Sequence, residues 1–135
     1  MDHLTSLIQQ DESENLEFKE QWNDHDLEAL ASFVNTKGGT LLIGVKDNRM
    51  VIGWAGDDQA QQRVINQIVE ILRVQPSVSV QQEQGKAVLV IEVKPSSTLV
   101  ACRGRYYQRV GNTTREIPAE QLGHYSTRKA WRAMG

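Results

Sequence analysis

One cysteine, three prolines and no long apolar run set the first limits on this chain of 135 residues. With Cys102 alone, no intrachain disulfide forms and no cysteine-based zinc cage can be built, which suits a reducing compartment. The longest apolar stretches, Thr40 to Val45 and Ala87 to Ile91, fall far below the roughly 20 residues that a membrane-spanning helix needs. The first fifteen residues carry neither the basic nor the apolar region of a secretory signal, so a cytoplasmic protein with no membrane partner is expected. His3, His25 and His124 are scattered, and no Ser/His/Asp or Cys/His set accompanies them. Lys37-Gly38-Gly39-Thr40 invites comparison with a phosphate loop, but its glycines follow a helical pattern and precede a strand, the reverse of the order such a loop requires.

What is present is hydrophobic patterning sufficient for one core: 39% of residues are hydrophobic, and the length fits a single domain over 1–135. Leu4 to Gln9 reads as a short leading helix. Asn15 to Lys19 alternates as a strand, and Leu27, Leu30, Ala31 and Val34 recur at helical spacing up to the glycine pair. Thr40 to Val45 is a strand that turns into a second one at Met50 to Trp54. Asp57-Asp58 opens a helix with Val64, Ile65, Ile68, Val69, Ile71 and Leu72 on its apolar stripe, and it ends before Pro76. A hairpin about Gln84-Gly85-Lys86, a strand from Arg105 to Val110 and a C-terminal helix from Pro118 complete the order βαββαβββα. The expected class is α+β: a mixed, largely antiparallel sheet with two long amphipathic helices packed on it.

Net charge is only −2, yet the charges are segregated. Residues 1–30 hold nine acids and one base, whereas residues 103–132 hold seven bases and two acids. Arg103, Arg105 and Arg109 beside Tyr106 and Tyr107 suit a surface that tracks a phosphate backbone, because guanidinium forks pair with phosphate oxygens and stack on bases. Alternating arginine and aromatic residues equally describe a solvated strand whose partner is the acidic first third.

The ordered set Glu12-Ser13, Glu17-Phe18-Lys19, Phe33, Asn35-Thr36, Gly38-Gly39, Gly44-Val45 and Asp47, followed by Ile52-Gly53, Pro76, Val88 to Val93 and Tyr107 to Gly111, resembles the Schlafen AlbA-like domain. The likeness spans about residues 11–120. This family is labelled a DNA-binding domain of bacterial transcriptional regulators. The resemblance implies a regulatory nucleic-acid-binding domain, DNA ahead of RNA, with Lys19, Lys37, Arg103, Arg105, Tyr107, Arg109 and Arg115 as the contacting set. It makes Phe18, Asn35, Gly38, Gly39, Gly44, Gly53 and Gly111 the fingerprint of the fold. No cofactor is expected on that reading. Some animal relatives look like RNA endonucleases with an acidic triad, and Glu12, Glu17 and Asp47 match it, so the alternative is a nuclease holding Mg²⁺ or Mn²⁺ on these carboxylates. Against it stand turn capping by Glu12 or Asp47 and an ion pair of Glu17 with Lys19 or an arginine, and a binding module is favoured over an enzyme. A third option is an interaction or oligomerisation module, such as a homodimer, for which the apolar helix and any exposed strand edge suffice.

Overall fold

The computed structural model describes residues 3–123. Its elements are α1 (His3–Ile8), β1 (Leu16–Lys19), α2 (Asp26–Val34), β2 (Gly39–Ile43), α3 (Asp58–Leu72), β3 (Ser77–Glu83), β4 (Lys86–Val93), β5 (Ala101–Cys102), β6 (Arg105–Val110) and β7 (Thr113–Glu116). The class is α+β. The strands divide between a four-stranded sheet ordered β1-β2-β4-β3 and a three-stranded sheet ordered β5-β6-β7. Among the described residues only β1 and β2 run parallel, joined through α2; the other pairings are antiparallel.

Two sheets form where one was expected because α2 is apolar nearly all round. Of its residues only Glu28 is not buried, and a helix with no solvated face must be covered on both sides. Leu27, Leu30, Val34 and α3 residues Val64, Ile68 and Leu72 pack with Leu41, Ile43, Leu89 and Ile91 of the large sheet, while Cys102 and Tyr107 reach the same cluster from the small sheet. Each such leucine or isoleucine contributes about 1.5–3 kcal/mol on burial. The far face of the large sheet is covered too: Leu4 and Ile8 of α1 pack on Leu16, Phe18, Leu42, Val88 and Val90.

Helix ends follow the local chemistry. Asp57 caps α3 by accepting from the Ala60 amide at 2.8 Å, and Arg73 closes it in the left-handed region before Pro76. After α2, Gly38 takes φ +76 and its amide donates to the Phe33 carbonyl. A Cβ there would meet the Val93 carbonyl and Pro95 at 2.8 Å, so the turn needs glycine for both conformation and space.

The strand expected at Met50 to Trp54 shrinks to a single bridge between Val45 and Val51. Gly44 explains this: its carbonyl accepts from both the Ile52 and Gly53 amides, which bulges the chain instead of continuing a ladder. Of the C-terminal helix expected from 118 onward, residues 119–123 are helical; the rest, with Arg128, Lys129, Trp131 and Arg132, lies outside the described residues.

Candidate nucleic-acid interface

β6 alternates as its sequence demands, with Arg105, Tyr107 and Arg109 on one face and Tyr106, Gln108 and Val110 on the other. The first face turns toward α2 at Tyr107 and Arg109, while Arg105 at the start of the strand is exposed. Arg109, with no exposed side-chain surface, donates from Nη1 to Glu17 Oε1 at 2.6 Å and to Thr114 Oγ1 at 3.2 Å. Its Nε and Nη2 reach the Ser13 carbonyl at 3.2 and 3.0 Å, and Nη2 also reaches the Leu16 carbonyl at 3.4 Å. The guanidinium carbon lies 4.7 Å from the centre of the Phe33 ring. Arg109 is therefore an internal staple, and its expected place in a phosphate-contacting set is corrected: every donor direction is committed to protein.

Tyr107 is likewise turned inward. It packs on the main core, burial raises its hydroxyl pKa, and its carbonyl accepts from Asn35 Nδ2 at 2.9 Å. Asn35 also donates to the Val100 carbonyl at 2.9 Å and accepts from the Val100 amide at 2.7 Å. From the resemblance, Asn35 is expected only as a fingerprint position of the fold. The structure uses it to tie α2 to the segment entering the small sheet, a partner about seventy residues away that no local pattern discloses.

The remaining cations lie outward but do not converge. Arg103 sits with Gly104 in the β5–β6 turn, φ 52 and 80, and pairs with Asp24 at 3.0 Å. Arg105 pairs with Glu116 at 3.5 Å. Lys19 lies 3.5 Å from Glu17 and 4.0 Å from Asp26, and Lys37 lies 3.5 Å from Glu14. Arg115 stands across from Gln108, on the opposite face of the small sheet from Arg109, and its Nε donates to Thr113 Oγ1. Two ion pairs, Arg103–Asp24 and Arg109–Glu17, join the acidic first third to the basic last third.

The carboxylates also have structural work. A tight turn bridging Ser13 and Leu16 folds the chain back, so Glu12 Oε2 accepts from the Phe18 amide at 2.9 Å. Burial raises the Glu12 pKa, and the negative charges of Asp47 and Glu17 add to that effect against the Phe18 amide and Arg109. Glu12 is within electrostatic reach of both Glu17 and Asp47. Glu17 lines a cleft of about 280 Å³ with Asp26 and Glu28, whereas Asp47 lines one of about 370 Å³ with Glu20 and Asn23. Among the described residues, no group of three or more His, Cys, Asp or Glu side chains is arranged to hold a metal ion. Glu12, Glu17 and Asp47 as placed do not fit a Mg²⁺ or Mn²⁺ site, and no metal-dependent step follows from them. Asp26, which the sequence did not single out for this region, is 2% exposed, and burial raises its pKa against the Asn23 amide and Lys19.

Comparison with known proteins adds a second line. A protein of Corynebacterium diphtheriae, known from its crystal structure, superposes with a TM-score of 0.71 at 21% identity over 90% of this chain, which spans 27% of that one. The N-terminal domain of a RecG-related protein of Nitrosomonas europaea, named after an ATP-dependent DNA helicase and solved by NMR, gives 0.57 at 25% identity, covering 71% of this chain and 75% of that one. Among curated proteins, none matches. The first likeness bears on the fold alone, and the family model for Schlafen, AlbA_2 matches residues 12–118. The buried Arg109–Glu17 pair, the Asn35 tie and the Gly38-Gly39 turn all fall inside that match, and the chain belongs to the Schlafen AlbA_2 family.

Proposed function

We propose that this chain is a nucleic-acid-binding domain of a cytoplasmic bacterial regulator, holding phosphates with the exposed arginines at the rim of the small sheet, DNA ahead of RNA. The observation that carries the reading is the family match over residues 12–118, supported by the likeness to a domain of a protein named after a DNA helicase.

The physical support is the difference between the arginines. The Arg103–Asp24 and Arg105–Glu116 pairs are solvated at both ends, and exposed pairs of this kind hold with about 0–1 kcal/mol. A phosphate offers a guanidinium a bidentate, charge-assisted contact that competes with so weak a tie. Arg103, Arg105 and Arg115 are the binding set on this reading, with Lys37 and Lys19 as flanking charges. Arg109 acts indirectly, by holding β6 in place. Contacts of this sort read the backbone and not the bases.

The test is fluorescence anisotropy with labelled single- and double-stranded DNA and RNA across a salt series. Binding is expected to weaken linearly on a log-log plot, and the triple variant R103A/R105A/R115A is expected to flatten the slope by about one for each phosphate it no longer neutralises. No binding at low salt, or an unchanged slope in a folded triple variant, removes the proposal.

A further inference from the structure

We propose that the chain dimerises about a two-fold axis through antiparallel pairing of β3 with β3 of a second copy. A hairpin of β3 and β4 ends the large sheet on one side, with β3 outermost. Its two-residue turn, Gln84-Gly85, has φ 54 and 76, the signs of a type I′ turn, and closes on the pair Glu83 and Lys86. That pair is then hydrogen-bonded, and alternation along the ladder leaves Val78, Val80 and Gln82 with their N–H and C=O groups pointing away from β4. Among the described residues no backbone partner reaches these groups.

Seven residues of open edge are a template for another strand unless something guards it, and β3 has no proline, no lysine and no bulge. Its one charge is Glu83, at its end, and Val80, at its centre, is 40% exposed.

The occupant follows from the symmetry of what is open. Val78, Val80 and Gln82 are evenly spaced about Val80, so a two-fold axis there sets Val80 against Val80 and Val78 against Gln82. Every outward N–H and C=O then finds a partner. Charge and hydrogen bonding agree with that register. Glu83, whose Oε1 accepts from Thr5 Oγ1 of its own α1 at 2.7 Å, faces Ser77 of the second copy with Oε2 left to accept from that hydroxyl, and the two Glu83 side chains lie at opposite ends of the interface. Ser79 faces Gln81, a hydroxyl and amide combination that already bonds within one chain at 3.1 Å. On the helix side the two Val80 side chains meet. A slip by two residues leaves one open residue on each copy unpaired and draws the two valines apart. The result is a continuous eight-stranded sheet, and it uses none of the arginines of the small sheet, so its failure leaves the nucleic-acid reading standing.

Sedimentation equilibrium of the whole chain over a dilution series is the experiment, with V80K, which sets like charges face to face at the axis, and V110K, at the 48% exposed valine of β6, as the comparison. A reversible dimer is expected, with V80K raising its Kd about tenfold or more and V110K leaving it unchanged. Hydrogen exchange on the unaltered chain gives an answer even if V80K fails to fold. The amides of Val78, Val80 and Gln82 are expected to be protected when concentrated and exposed on dilution, while those of Ser79 and Gln81, bonded to β4, stay protected. A monomer at every concentration, a folded V80K with unchanged Kd, equal dissociation by V110K, or exchange at the three amides that ignores dilution overturns the proposal.

Discussion

The large sheet has two outer edges, and the chain treats them in opposite ways. At β1 side chains meet outward groups of the strand and of the turn before it: Glu12 takes the Phe18 amide, and Arg109 takes the Leu16 and Ser13 carbonyls. At β3 the outward groups of Val78, Val80 and Gln82 have no such partner among the described residues. One edge is sealed from within by residues distant in sequence, and the other is left as a bare row of donors and acceptors. The contrast shows where the fold spends its buried charge. Glu17 and Arg109 lie where two sheets and a helix must meet, and their pairing closes a strand edge and fixes the small sheet in a single contact.

The strongest way to break that contrast is Arg109→Met. It leaves Glu17, only 12% exposed, without its close partner and reopens the β1 edge; losing one member of such a pair costs about 3–5 kcal/mol. Urea unfolding is expected to show that loss, together with greater self-association through the newly bare edge. A midpoint within error of the parent would mean that Arg109 does not hold the seal.

Asn35→Ala sharpens the same comparison from the other side. It cuts the ties to Val100 and Tyr107 and so loosens the sheet that carries Arg109, with a cost of about 1–3 kcal/mol for the buried groups left unsatisfied. Exchange at the β6 and β7 amides is expected to rise before exchange at β4. A uniform rise would argue that the two sheets open as one unit.

The smallest effect belongs to Glu12. Burial raises its folded pKa, so the folded state binds its proton more readily than the unfolded chain does. The ionised form therefore costs stability above the raised pKa, and that cost disappears as pH falls through it. Glu12→Gln keeps an oxygen for the Phe18 amide. It is expected to be at least as stable as the parent near neutral pH, with the advantage shrinking as pH falls toward the ordinary carboxylate value of 4.5. Urea midpoints at the two pH values check the sign; a variant that loses stability at neutral pH would show that the charge itself, and not the acceptor, makes the seal.

Much of this was legible in the chain and some was not, for reasons tied to particular residues. Periodicity located α2, α3, β2 and the β3–β4 hairpin, and alternation placed Arg105, Tyr107 and Arg109 on a common face. Alternation cannot say which face a helix will cover, and that undid the reading of Arg109 as a surface residue. The pairing of Glu17 with an arginine and the capping by Glu12 were readable as options because carboxylates near strand ends commonly do both. Asn35 was legible as a fingerprint position but not as a long-range tie, since its partners depend on how the second sheet returns to α2. Gly44 hid the bulge that reduces the strand expected at Met50 to Trp54 to one bridge, because glycine inside an apolar run is compatible with several backbone paths.

α2 serves as an inner wall shared by both sheets, and this bears on how the domain can be trimmed. A truncation after Val93 would look reasonable on the strand order of the large sheet, yet it would strip one side of α2 and expose Phe33, Ser32 and Asn35 to water. Any fragment meant to stand alone must therefore run through Ile117, whose amide closes onto Tyr106 and whose side chain is 2% exposed.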